Sequence, residues 1–225
     1  MRTYKEVLED GIQLLETAAI EEARLDAWLL LEYTADITRA WYYAHMDDGL
    51  DAKTEERYRT LCTKRAQHIP LQHITGCAYF MGYEFCVDER VLVPRQDTEV
   101  LVEEAISRMR NLEKPQILDM CTGSGCVLIS ILKNVHGTGG YGYDISKQAI
   151  NVAKENAKLN DVPAIFERSN LFEDVADETF DVIVSNPPYI RSDEIPFLMP
   201  EVSEFEPHEA LDGKEDGLFF YRKII

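Results

Sequence analysis

Apolar side chains recur at helical spacing near the start of the chain. Tyr4, Val7, Leu8, Ile12 and Leu15 share one helical face, and Ala23, Ala27, Leu30 and Leu31 repeat the pattern. A third helical run covers Trp41 to Ala44. A fourth is expected to begin near Asp51, a residue suited to N-capping, and to carry Tyr58, Leu61, Cys62 and Arg65 until Pro70 stops it. Helices this short are marginal alone, so they are expected to pack as a small bundle ending near residue 70.

The pattern then changes. The stretch CAYFMGYEFCVDERVLVP is rich in aromatic and β-branched residues around Gly82, which predicts a hairpin of Ala78–Met81 against Glu84–Val87. From Asp97 onward helices and strands alternate. Helix Asp97–Asn111 leads to strand Gln116–Met120, then to helix Gly125–Lys133 and strand Gly140–Tyr143. Helix Ser146–Asn160 and strands Ala164–Arg168 and Phe180–Val184 follow. Strands separated by helices imply right-handed crossovers, hence an α/β, doubly wound and mostly parallel sheet with helices on both faces. The expected organisation is a helical domain over 1–75, a hairpin linker over 76–93 and the α/β domain over 94–225.

Composition narrows the partners. Acidic residues outnumber basic ones, 41 to 23, for a net charge of −18. Such a surface repels phosphate backbones, so no direct nucleic-acid partner is expected. No stretch approaches the roughly 20 apolar residues that span a bilayer, and the charged N-terminus lacks a signal core. The cysteines, Cys62, Cys77, Cys86, Cys121 and Cys126, are odd in number and show no CxxC spacing. Neither disulfides nor a zinc site are expected, which fits a reducing cytoplasm. His45, His68, His73, His136 and His208 have no metal spacing either. Trp28 and Trp41 are expected in the core, Met109, Met120 and Met199 as packing residues, and Glu201, Glu204, Glu206 and Glu209 on a solvated face.

Two constellations carry chemistry. In the first, the apolar strand Ile117-Leu118-Asp119-Met120 runs into Cys121-Thr122-Gly123-Ser124-Gly125, after which a helix starts. Ligands of doubly wound folds bind where strands end and helices begin, and Gly123 and Gly125 permit close backbone approach. About twenty residues on, Asp144 ends the next strand, placed to accept hydrogen bonds from both hydroxyls of a ribose. Capping of the following helix is the alternative role for Asp144, and Ser146 could cap equally well. Together the spacings favour a nucleoside ligand. No third glycine follows Gly125, so the turn suits S-adenosylmethionine better than a dinucleotide with a pyrophosphate to cradle. Asp119, at the strand end, is expected to fix the turn or to meet the ligand's ammonium group.

In the second constellation a strand ends in Ser185-Asn186-Pro187-Pro188-Tyr189. The prolines stop the ladder and leave carbonyl oxygens free beside an Asn that both donates and accepts. Tyr189 offers a flat face to a planar group. The Asn186 side-chain oxygen and the Pro187 carbonyl are candidates to accept the two protons of a planar NH2 group, an amide or a base amine. No general base is evident, so positioning and polarisation are expected to carry catalysis.

These residues resemble the amino-methyltransferases with an [ND]PP[YF] signature. Within them the chain is similar to the peptide chain release factor glutamine methyltransferases, the HemK/PrmC family. The similarity runs through VLVPRQDTEVLVE, DMCTGSG, YGYDIS, SNLF, SNPPYI and EVSEFEPHEALDGKEDGL. The resemblance implies a Rossmann-like class I S-adenosylmethionine-dependent methyltransferase domain. It implies methylation of the GGQ glutamine of release factors, with S-adenosylhomocysteine as by-product, and a helical N-terminal domain that recognises the release factor. Residues Asp119, Cys121, Thr122, Gly123, Ser124, Gly125, Asp144, Asn170, Leu171 and Asn186 would contact the cofactor. Asn186, Pro187, Pro188 and Tyr189 would hold the glutamine amide, with Asn186, Pro187 and Tyr189 catalytic. Arg95 and Thr98 would shape the cleft, an N-cap and a surface ion pair being their plainer roles. A cytoplasmic monomer is expected. Cys121, Gln96 and Asn170 depart from the family's usual glycine, proline and aspartate. The family continues beyond the helical stretch that ends at Ile225, so an incomplete sheet is expected.

Overall fold

The computed structural model describes residues 1–175 and 179–225. The chain folds into two compact units, Met1–Thr75 and Gly76–Ile225.

The first unit is helical: α1 Tyr4–Thr17, α2 Ala23–Ala35, α3 Arg39–His45, α4 Ala52–Arg65 and α5 Leu71–Thr75. Thr3 and Glu6 form a reciprocal capping box on α1, and Asp51 caps α4 by accepting from the Lys53 and Thr54 amides. Leu15, Leu30, Leu31 and Tyr58 are buried at its centre, and the Tyr58 hydroxyl donates to the Ala27 carbonyl at 3.1 Å. Arg65 and Asp26 form a buried ion pair at 2.7 Å. Pro70 does not stop α4. The helix ends at Arg65, His68 takes a positive φ of 64°, and Pro70 leads into α5 through its carbonyl, which accepts from Ile74. Trp28 is core, but Trp41 is 36% exposed and stacks on the His45 ring. The short helix α3 turns Tyr42, not Trp41, into the core.

The second unit opens with a hairpin, β1 Cys77–Phe80 and β2 Tyr83–Cys86. Both strands begin and end one residue earlier than expected, because Met81 and Gly82 both adopt positive φ, 52° and 78°, and make a two-residue turn. The Glu99 carboxylate accepts from the Met81 amide at 2.6 Å. A 3-10 turn over Gln96–Thr98 then precedes α6 Glu99–Met109, a split of the single helix expected from Asp97.

The elements β3 Gln116–Met120, α7 Cys126–Asn134, β4 Gly139–Asp144, α8 Lys147–Leu159, β5 Ile165–Arg168 and β6 Val182–Ser185 build a four-stranded parallel sheet of order β5-β4-β3-β6. The order reverses at β3, which places a crevice beyond its carboxyl end. Ile117, Phe166 and Val184 share a core with Val102 of α6, Leu128 of α7 and Val152 of α8. The opposite face carries the smaller cluster Leu118, Met120 and Tyr143, covered in part by Leu171, Phe172 and Ile224. Three short helices, α9 Pro200–Ser203, α10 His208–Leu211 and α11 Tyr221–Ile224, complete the described chain. Met199 is exposed rather than packed, because it sits outside these helices in the loop before Pro200. Among the described residues no helix is long and apolar enough to cross a membrane.

Candidate functional site

A cavity of about 400 Å³ lies where the strands end. The loops after β3, β4, β5 and β6 supply its walls. Of the residues expected at the cofactor, Asp119, Cys121, Thr122, Gly123, Ser124, Asp144, Asn170, Leu171 and Asn186 all line it. Pro188, Arg95 and Thr98 line it as well, whereas Gly125, Pro187 and Tyr189 do not. Gly125 has a positive φ of 79° and serves as N-cap of α7. Pro187 is buried, and Tyr189 is 56% exposed.

Asp144 holds two turns together. One oxygen accepts from the Gly123 amide at 2.9 Å and the other from the Ser146 amide at 2.9 Å. Each oxygen keeps a lone pair for a further donor. The helix cap itself is Ser146, whose hydroxyl accepts from Ala149. Burial raises the Asp144 carboxyl above the usual range, against the pull of those two amides. Asp119 fixes the turn: it is 2% exposed and accepts from the Thr122 hydroxyl at 2.7 Å. Burial pushes its carboxyl up to about 7, with the Thr122 bond opposing. Cys121 adopts a positive φ of 62°, a conformation that a side chain disfavours, and burial pushes its thiol up to about 12. Leu171 is likewise left-handed, with φ 52°.

The Asn186 amide group contacts the Thr98 hydroxyl at 3.5 Å, with its nitrogen toward Thr98. That long contact leaves the side-chain oxygen of Asn186 to accept from elsewhere. Ser185 donates to the Met120 carbonyl at 2.6 Å and so ties the end of β6 to the end of β3.

Two supports escaped the sequence reading. Asn156 of α8 is fully buried; its oxygen accepts from the Cys86 amide at 2.7 Å, and its nitrogen donates to the Cys86 and Ser124 carbonyls. The glycine-rich turn is thereby fastened to β2. The second support is the tail. Glu206 was expected on a solvated face, yet its side chain is 1% exposed, because Arg95 donates to both its oxygens at 2.8 and 2.7 Å and Val93 adds an amide at 3.2 Å. Further on, Ile190 donates to Leu211 and accepts from Gly213 at 2.7 Å, while the Ser192 hydroxyl donates to Asp212 at 2.6 Å. A β-carbon on Gly213 would lie 2.7 Å from Tyr189 Cα, so only glycine lets the tail press against the Asn-Pro-Pro-Tyr segment. Asp212 and Lys214 also line the cavity. No single-residue pattern signals these supports; the EPHEALDG stretch was the sole hint.

Among the described residues no group of three or more His, Cys, Asp or Glu could hold a metal ion. The chain matches the family described as PrmC N-terminal domain over residues 6–76 and the one described as Methyltransferase small domain over 96–199. A release factor glutamine methyltransferase of Geobacter sulfurreducens is 39% identical over 99% of this chain and 78% of its own length. The protein of the same description from Clostridium botulinum is 38% identical over 98% of this chain and 80% of its own length. Among solved structures, a ribosomal protein L11 methylase from Lactobacillus delbrueckii overlaps with a TM-score of 0.39 and 27% identity, covering 55% of this chain and 62% of that one. That overlap decides nothing further. Matches to both domains, and relatives aligned along nearly the whole chain, show that it belongs to the release factor glutamine methyltransferase family.

Proposed function

We propose that the chain transfers a methyl group from S-adenosylmethionine to the side-chain amide nitrogen of the GGQ glutamine of a peptide chain release factor. The observation that carries this reading is the meeting of the two constellations: Asp144, the Cys121–Ser124 turn and Asn186 line one cavity. Its size suits a nucleoside with an amino-acid tail. The free lone pairs of Asp144 fit ribose hydroxyls, and Asn170 and Leu171 suit the rim of an adenine site. Asp119, behind the turn, favours a cationic ligand once ionised. Bound there, S-adenosylmethionine supplies a methyl group activated by the adjoining sulfonium.

The protein's own residues hold the amide. The Asn186 oxygen, turned outward by Thr98, accepts one amide proton, and the Pro187 carbonyl accepts the other. Accepting hydrogen bonds from both N–H groups shifts electron density onto the nitrogen and orients it toward the methyl donor, which raises its nucleophilicity. The Pro187 and Pro188 rings fix the loop without offering competing N–H donors. The exposed Tyr189 ring is positioned for a substrate arriving from outside. The first unit, over residues 1–75, is the part we assign to recognition of the release factor, and the hairpin over 76–93 joins it to the methyltransferase domain.

The test is methyl transfer from labelled S-adenosylmethionine to purified release factor and to its GGQ Gln→Ala variant. Label that needs the glutamine and vanishes with Asn186→Ala supports the reading. Label in RNA or DNA, with none in the release factor, would overturn it in favour of a nucleic-acid amine.

A further inference from the structure

Cys77 and Cys86 stand directly opposite each other across β1 and β2. The Val87 amide donates to the Gly76 carbonyl at 3.2 Å, so that outer pair is a hydrogen-bonded one. Pairs alternate along an antiparallel ladder, which makes Cys77–Cys86 a non-hydrogen-bonded pair. The Cys86 backbone agrees: its amide and carbonyl both point away from β1, to Asn156. Pairs of this kind bring Cα atoms to about 4.5 Å, inside the roughly 4.4–6.8 Å that a disulfide spans and near its short limit.

Both side chains leave the hairpin on the same face. Ala78, Phe80 and Phe85 fill the buried face, and Cys77, Tyr79, Glu84 and Cys86 take the other. Cys86 is exposed and Cys77 half-buried, both as thiols. The remaining cysteines are placed differently: Cys62 in the helical unit, Cys121 in the cavity wall, and Cys126 buried at the start of α7.

We propose that Cys77 and Cys86 are a redox modification site, a dithiol that closes to a cross-strand disulfide by exchange with a low-molecular-weight disulfide such as oxidised glutathione. The exposed Cys86 thiolate attacks one sulfur of oxidised glutathione, forming a mixed disulfide and expelling one glutathione thiolate. The Cys77 thiolate then attacks the Cys86 sulfur and expels the second. The protein loses two protons and two electrons, and one oxidised glutathione becomes two reduced ones. Burial, with Glu84 beside it, pushes the Cys77 thiol up to about 11, and partial desolvation together with the carboxylates of Glu155, Glu84 and Asp88 raises the exposed Cys86 too. Exchange is therefore slow near neutrality and quickens with pH.

The test is titration of the folded protein with oxidised glutathione at mildly alkaline pH, followed by acid quench, alkylation and non-reducing peptide mapping. The expected product has lost two hydrogen masses and yields one peptide pair linked through Cys77 and Cys86, released by dithiothreitol. With Cys77→Ser, a single stable glutathione adduct on Cys86 is expected instead. Wild-type protein that accumulates the Cys86 adduct without the link overturns the proposal. So does protein in which both thiols stay alkylatable throughout, or one that forms the link only in denaturant.

Discussion

The side-chain nitrogen of Asn156 donates to the Ser124 carbonyl at 2.9 Å from a position with no solvent exposure. The same residue serves both backbone groups of Cys86, so one amide joins the glycine-rich turn, the hairpin and α8.

Replacing it by alanine strands three polar groups at once. Unpaired buried groups cost about 1–3 kcal/mol each. Because the Cys86 end is partly solvated, Asn156→Ala is expected to destabilise the protein by about 2–4 kcal/mol in urea unfolding. It should also weaken S-adenosylmethionine in calorimetry. Asn156→Asp should not rescue either property, since its second oxygen would face two carbonyls. A loss below about 1 kcal/mol would show that the turn stands without this tie.

Asp119 gives the stability a pH dependence of definite sign. Its folded value, about 7, lies above its ordinary value of 3.8. Between these limits the folded state holds a proton that the unfolded chain has released. Stability from this group is therefore lost as pH rises from about 4 to about 7, by at most about 1.4 kcal/mol per pH unit, and levels off above. Asp119→Asn keeps an acceptor for Thr122 and removes the titration. Subtracting the variant's unfolding free energy from the wild type's across pH 4–8 should reveal that falling slope; a flat difference would show the carboxyl titrating normally.

Arg95 and Glu206 should respond to pH in a linked way. Arg95→Ala leaves a buried carboxylate with only the Val93 amide, which is expected to cost about 1–3 kcal/mol at neutral pH. Without the guanidinium the Glu206 carboxyl rises further, so the deficit should shrink as pH falls and Glu206 takes up a proton. Thermal melts of wild type and variant at pH 7 and 5 check this. A deficit equal at both values would assign the effect to lost packing.

Cys121 carries a side chain in left-handed backbone, a conformation that costs roughly 1–2 kcal/mol outside glycine. Cys121→Gly relieves it against a similar entropy gain in the unfolded chain, so stability is expected to stay level or rise by up to about 1 kcal/mol. Cys121→Val adds a branch where φ is 62° and should lower stability by about 1–2 kcal/mol. Melting temperatures of the three proteins decide it, and a marked loss for the glycine variant would show that the thiol contributes packing.

The sheet was largely legible because its signals are local. Strand β3 falls where an apolar run is bounded by Pro115 and a glycine-rich turn, Asp51 caps where expected, and of the two candidates for the next cap, Asp144 and Ser146, it is Ser146 that serves. The errors arise where a long-range partner or an unusual φ decides. Met81 gives no sign that it will turn left-handed, so the hairpin slipped by one residue. Nothing near Glu206 announces a guanidinium 111 positions earlier in the chain. Trp41 is apolar enough for a core, but α3 turns Tyr42 inward and leaves Trp41 partly exposed. The cavity residues were found mostly through the ends of strands, where topology gathers them. The tail's part in building the site depends on pairings between Ile190 and residues 211–213, which no spacing rule encodes.

Those pairings have a consequence for how the protein comes into being on the ribosome. Every residue of the Asn-Pro-Pro-Tyr segment is made, and emerges, before the stretch that clasps it. A nascent chain that has emerged only to residue 205 already holds the DMCTGSG, YGYDIS, SNLF and SNPPYI stretches. It still lacks Glu206 for Arg95, Asp212 for Ser192 and the glycine that admits Tyr189. The pocket thus matures only once residues 206–214 have emerged, and the growing polypeptide carries its chemistry in an unassembled form until then.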